Sequence, residues 1–215
     1  GPLISVQTQA WYNRELNSTY SMVPGLLPIV LILPMLAIAL AVTREKELGS
    51  FETLATTPIR AAEYLLGKLI PYIVFGLVSA SIAILLSLFW FRVPLRGSLI
   101  ALLILTTFYL FASLGETLLL SSFLTSQGTA MRVILLIFFL PSFFMAGIIL
   151  PIDTRSGIAQ AASFFLPATQ YVQMSRGVFL KQMGIPELVY QAIYLIALGT
   201  IPTVLSVLMF KKQVD

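Results

Sequence analysis

Long apolar runs separated by short polar stretches set the pattern of this chain. Met22 to Val42 supplies about 21 apolar residues, enough for about 31 Å of helix and one bilayer crossing. Comparable runs cover Leu69 to Phe91, Ser98 to Phe123, Ala130 to Leu150 and Leu188 to Phe210. None alternates as a barrel strand does, and in lipid only helices or closed barrels satisfy every backbone group. The pattern therefore predicts an all-α polytopic membrane protein with five transmembrane helices. Pro24, Pro28 and Pro34 bend the first span, and neighbouring helices can satisfy the carbonyls they free. Pro141 and Gly147 predict a kink in the fourth. Trp90 suits an interfacial anchor at the end of the second.

Arg44 to Lys68, REKELGSFETLATTPIRAAEYLLGK, is the one polar island between long apolar runs and holds eight of the chain's 22 charged residues. A Lys, Arg or Asp at a helix centre costs roughly 2.5 to 3.5 kcal/mol on insertion scales, so this stretch is an aqueous loop between spans one and two. Leu48, Phe51 and Ala55 repeat at helical spacing while Glu45 and Glu52 share another face. That predicts a short amphipathic helix broken near Gly49. Thr57 and Pro58 then offer an N-cap and a first helical position.

Pro151 to Pro186 is different. Its apolar pieces, Ile158 to Leu166 and Tyr171 to Leu180, are each too short to cross, and Pro167 separates them. Two pieces of this length predict a re-entrant helical hairpin before the last span. At the other end, Leu3 to Asn13 alternates partly and suits a short strand, which would need a partner outside this chain. Residues 1–17 have neither a basic start nor an apolar core of the signal-peptide kind, and the chain reads as trimmed, with Gly1 and Pro2 a possible fusion scar. Asn17-Ser18-Thr19 fits a glycosylation triplet, which chance also supplies.

Composition turns an apolar protein into an integral membrane one: 58% of the 215 residues are apolar and 10% charged, against about 25% charged in soluble domains. Mean hydropathy is +0.95. With no Cys and no His, thiol catalysis, disulfides, Cys/His zinc sites and imidazole acid–base chemistry are excluded for this chain. The net charge of +4 is scattered, without the basic runs that mark nucleic-acid binding. No stretch fits G-x-x-x-x-G-K-[ST]; Gly67-Lys68 lacks both the upstream Gly and the hydroxyl residue. No carboxylate pair, nucleophile elbow or ligand cluster rises above chance, so no catalytic residue, metal or cofactor is expected on the chain itself.

Five crossings place the termini on opposite sides. With the Arg44 to Lys68 loop inside, seven cations (Arg44, Lys46, Arg60, Lys68, Arg132, Lys211, Lys212) face inward and six (Arg14, Arg92, Arg96, Arg155, Arg176, Lys181) outward. The terminal lysine pair and the cluster beside spans one and two tip the expectation to a cytoplasmic loop and C-terminus.

Beyond topology, REKELGSFETLATTPIRAAEYLLGKLIPYIVFGL resembles the loop after the second span in type-2 ATP-binding-cassette (ABC) exporter permeases. SSFLTSQGTAM joined to FFLPSFFMAGIILPID, and FFLPATQYVQMSRGVFLK, match the same family in order, so that the likeness covers about half the chain. The resemblance implies a six-span subunit with an extracellular domain between spans one and two. Residues 1–20 would be the remnant of that domain and 21–215 the transmembrane domain, with a coupling loop at 44–68 and a re-entrant region at 151–186. It further implies a homo- or heterodimer of permeases in the plasma (inner) membrane, each energised by a separate ABC ATPase that binds ATP and magnesium. The expected activity is export of hydrophobic or amphipathic compounds, drug-like molecules or lipids. The alternative is a membrane anchor that tethers a soluble partner through the same loop.

On the residues alone, Arg44, Glu45, Glu47, Gly49, Phe51, Glu52 and Leu54 are either a docking lever or a solvated loop; the resemblance implies contact with the ATPase. Glu116, some eight residues inside the third span, marks a functional site by default. It faces the pathway, pairs with Arg132, sits protonated or snorkels to water; the sequence leaves these open. Gly147, Pro151, Pro167, Arg176 and Lys181 belong to the re-entrant region, where charges also serve as interfacial anchors. Phe138, Phe139, Phe143, Phe144, Phe164, Phe165 and Tyr171 either line a route for apolar cargo or pack and meet lipid.

Overall fold

Prolines decide where the first span breaks. Pro34 has no amide hydrogen for the Val30 carbonyl, and its ring crowds that carbonyl. In the computed structural model, which describes residues 18–49, 60–145 and 164–214, the span is two helices, Ser18–Val30 and Ile32–Glu47. They meet at Leu31, whose φ of −77° and ψ of 3° lie off the helical minimum. Every described element is helical and no strand occurs among the described residues. The expected strand at Leu3 to Asn13 lies outside them.

Among the described residues, five helices are long and apolar enough to cross a membrane: Met22–Glu47, Ala61–Phe89, Leu99–Phe123, Gln127–Phe144 and Pro186–Met209. Several boundaries differ from expectation. Arg44 to Glu47, expected in the aqueous loop, form the last turn of span one. The helix ends at Gly49, whose φ of +69° is left-handed and whose amide donates to the Lys46 carbonyl at 3.1 Å. Span two begins at Ala61 rather than Leu69, because Glu63 reaches back to accept from the Arg60 amide at 3.2 Å and closes the helix start. Arg60 itself is extended; residues 50–59, with the expected N-cap Thr57 and helix start Pro58, lie outside the described set.

Span four carries its irregularity one turn earlier than Pro141. Residues Leu135–Phe139 form a π-turn between Gln127–Ile134 and Leu140–Met145, with the Leu140 amide donating to the Leu135 carbonyl. Widening the helix there makes room for a proline that cannot serve the Ile137 carbonyl. Gly147 falls beyond the described residues.

Span three is the axis of the bundle. Leu102, Leu105, Leu110 and Leu114 are fully buried, and the helix packs on spans one, two and five and on a separate helix, Pro167–Lys181. Against span five the backbones nearly touch: a side chain at Gly115 would meet Thr203 Oγ1 at 2.6 Å, and one at Gly199 would meet the Phe111 ring at 2.4 Å. Small residues permit that approach, which in lipid takes the place of a hydrophobic drive between helices.

The Pro167–Lys181 helix is the second of the two short pieces expected in the re-entrant region; the first lies largely outside the described residues. Pro167 opens it. It is wrapped by the bundle, with Tyr171, Met174, Val178 and Phe179 fully buried. Tyr171 stacks on Tyr109 at 4.3 Å between ring centroids and shares a 2.8 Å hydrogen bond with Thr106. Its C-terminal turn is held by the connection between spans two and three: the Arg96 and Gly97 amides donate to the Phe179 and Val178 carbonyls at 3.0 and 2.9 Å.

Candidate functional site

Four consecutive charged residues end span one, the last three of them Glu45, Lys46 and Glu47, and helical geometry turns each about 100° from the one before. Those three therefore reach different neighbours. Glu45 accepts from Lys68 Nζ at 2.5 Å and from the Tyr64 hydroxyl, both in the first turns of span two. The Lys68 ammonium also sits 4.7 Å from the Tyr64 ring centroid. Lys46 reaches the other way and donates to the carbonyls of Ser121, Ser122 and Leu124 at 2.8, 2.6 and 3.3 Å. Those carbonyls end span three, where the helix's own amides run out, Ser121 alone also accepting from the Leu124 amide at 3.3 Å, and the helix dipole favours a cation. Glu47 accepts from the Gln127 amide at 2.8 Å and from its side-chain nitrogen at 2.5 Å. That amide is one of the unpaired donors at the start of span four, where a carboxylate suits the positive end of the helix.

This charged node joins the foot of the loop to spans two, three and four. The Glu45–Lys68 pair is partly withdrawn from solvent, at 34% and 15% exposure, so it is screened less than an open surface pair. Two to four positions before Gly49, then, charged hydrogen bonds tie the chain to three spans.

Of the expected loop residues, Arg44 and Glu47 are exposed, Glu47 bonding Gln127, Glu45 is partly buried, and Gly49 supplies the left-handed turn. Phe51, Glu52 and Leu54 lie outside the described residues, as do Gly147 and Pro151. Glu116 is partly buried in span three beside the Gly115 contact and makes no hydrogen bond or ion pair among the described residues. Arg132, weighed as its partner, is exposed and bonds the Gly128 carbonyl at 3.1 Å instead. Arg176 is partly buried and Lys181 exposed on the short helix.

Sequence reasoning singled out Glu45 and Glu47 but not Lys46, Lys68, Tyr64 or Gln127, which complete the node. The alternation Glu-Lys-Glu at the end of a span was the available signal: consecutive residues of opposite sign point to different neighbours.

A family model described as ABC-2 family transporter protein matches residues 2–208. The chain belongs to that family. Over its whole length this ABC-2 chain is 34% identical to the probable multidrug ABC transporter permease YbhS of Escherichia coli, covering 57% of that protein. It is 23% identical to the probable multidrug ABC transporter permease YbhR of Escherichia coli, over 95% of the chain and 55% of the relative. It is 24% identical to the inner membrane transport permease YhhJ, over 99% and 57%. The ABC-2 chain thus spans a little over half the length of these relatives.

Proposed function

We propose that this chain is the membrane-spanning part of a permease that exports hydrophobic or amphipathic compounds, drug-like molecules or lipids, driven by a separate ABC ATPase. The ATPase grips the loop after span one on the cytoplasmic side of the inner membrane, in a complex containing two permease subunits. ATP and magnesium belong to that partner. The observation that carries the reading is the node: the foot of the loop is tied by Glu45, Lys46 and Glu47 to spans two, three and four. A loop that merely kept the chain from sliding into lipid needs no such ties. The likeness to permeases named for multidrug transport supports the cargo class, and so does the scarcity of charge within the spans.

On this reading, closure of two ATPases on ATP displaces residues 50–59, and the node passes the displacement to three spans at once. The test uses Phe51→Asp and Glu52→Lys in the full-length permease with its ATPase. Both variants should insert normally, lose ATP-dependent export and recover less ATPase on purification. Unchanged export would dismiss the lever.

A further inference from the structure

One side of span three passes from covered to open along its length. Leu105, Tyr109, Ala112, Glu116, Leu120 and Phe123 follow at steps of three or four and so share that side. The first three are fully buried, Glu116 and Leu120 are partly buried, and Phe123 is 62% exposed. The cover is the Pro167–Lys181 helix. Its Val178 carbonyl accepts from the Gly97 amide just before span three, and its Tyr171 stacks on Tyr109. It therefore runs antiparallel to span three, and its first residue, one turn beyond Tyr171, comes level with about Ser113. Glu116 is the first residue of this side past the cover. From there the open stretch leads to the end of span three that Lys46 caps, which is the end bearing the loop.

The carboxylate is isolated in a way no other described acid is. Glu45, Glu47, Glu63 and Glu187 lie at helix ends, whereas Glu116 is about 10 Å along the helix from Phe123. Side chains lean toward a helix's N-terminus, here away from that nearer end, so snorkelling does not serve it. The described cations that bond within the bundle are committed elsewhere: Lys46 to the Ser121 and Ser122 carbonyls, Lys68 to Glu45 and Arg132 to the Gly128 carbonyl. The groups within electrostatic reach of Glu116 include the hydroxyls of Tyr109 and of Tyr194 on span five, which carry no positive charge. A carboxylate at this depth is costly alone, and with little water nearby it attracts a cation more strongly than in solution.

We propose that Glu116 is the counter-ion for a positively charged amphiphile, whose charged group stops at the carboxylate and whose apolar part lies along Leu120 and Phe123. This rests on the reading of the chain as a permease for amphipathic compounds, and it narrows that cargo to organic cations. The charge order favours such a molecule: one negative group at the covered end of an otherwise apolar stretch that is open at the other.

The test uses the full-length permease with its ATPase in nanodiscs for binding and in vesicles for export. The probes are tetraphenylphosphonium, a lipophilic cation, and N-phenyl-1-naphthylamine, a neutral dye, each corrected for uptake by protein-free lipid. The parent should bind the cation more tightly than the dye, and Glu116→Gln should lower that preference on the order of tenfold, the effect of one charge pair partly withdrawn from water. Glu116→Asp should keep most of it. Placing the charge one turn nearer the open end, with Leu120→Glu added to Glu116→Gln, should restore part of it. The cation should raise the melting temperature of the parent more than that of Glu116→Gln, which separates lost binding from lost folding. No preference in the parent, a preference that survives Glu116→Gln, or separation of the two permease subunits on that change would each overturn the site, the last by giving the carboxylate to a subunit contact. Export of the dye without any charge preference would remove the site and leave the transport reading standing. A Glu116-dependent preference without ATP-driven export of either probe would uphold the site and remove the transport reading.

Discussion

The Ser175 hydroxyl lies 2.9 Å from the carbonyl oxygen of Pro24, 151 positions earlier in the chain. Four residues beyond Pro24 stands Pro28, whose nitrogen carries no hydrogen for that carbonyl. Ser175 supplies the donor that the helix itself cannot, its one hydroxyl hydrogen shared with the Val172 carbonyl at 3.1 Å. The bond joins the first half of span one to the Pro167–Lys181 helix, while the second half of span one is tied to spans two, three and four.

Ser175→Ala should therefore cost about 1 to 2 kcal/mol, the range for leaving a buried acceptor unpaired. In a Pro28→Ala background the new amide can serve Pro24, so the same change should cost less. Thermal unfolding of the four proteins in detergent checks this. An equal cost in both backgrounds would remove the proline from the explanation.

Lys46 caps three carbonyls at the end of span three. Lys46→Met keeps the stem and removes the charge, and should destabilise that turn by about 1 to 3 kcal/mol. Amide exchange should quicken at 121–126 and stay as before at 101–110. Uniform quickening along the span would indicate a global rather than a capping role.

The Glu45–Lys68 pair is half withdrawn from water. A double-mutant cycle with Glu45→Gln and Lys68→Met should give a coupling of about 1 kcal/mol, at the upper end for exposed pairs. It should change little between low and moderate salt, since the pair is partly shielded. Because Tyr64 shares the same carboxylate oxygen, Tyr64→Phe should lower the coupling. A value near zero would make the contact incidental.

Spans three and five cross where Gly199 meets Phe111 and Ala112. Gly199→Val should cost about 1 to 3 kcal/mol through overpacking, because a side chain there would lie 2.4 Å from the Phe111 ring and 3.0 Å from the Ala112 Cα. Phe111→Leu should recover part of the loss measured by thermal unfolding. No recovery would point to the Ala112 backbone as the barrier.

Glu116 has no partner for its charge among the described residues. Glu116→Gln should raise thermal stability by about 1 kcal/mol, a fraction of the cost of a carboxylate at mid-bilayer because the residue is only partly buried. A loss of stability would reveal a favourable contact that only the ionised form makes.

Much of the architecture was legible in the chain because lipid imposes a one-dimensional rule. A run of about 20 apolar residues must cross as a helix wherever it falls, and among the described residues each of the five runs holds a helix long and apolar enough to do so. The boundaries were less legible. Arg44 to Glu47 and Ala61 to Lys68 were assigned to water by their charge, yet they continue the spans, because their partners at Lys68, Ser122 and Gln127 come from elsewhere in the chain. The break at Leu31 was visible in Pro34, whereas the π-turn at Leu135–Phe139 was not. A missing amide says that a helix must yield, not which residues will absorb the change.

Hydropathy, proline placement and composition determined five apolar runs each suited to a membrane helix, irregularities in the first and fourth of them, one charged loop, and the absence of Cys or His chemistry. Which helix forms the axis, which carbonyls Lys46 caps, where Ser175 finds its acceptor and why Glu116 lacks Arg132 were decided only by the packing. The physical reason is range: burial in lipid depends on local composition, but a hydrogen bond or a glycine crossing depends on two residues 70 to 150 positions apart. Nothing in either neighbourhood names the other.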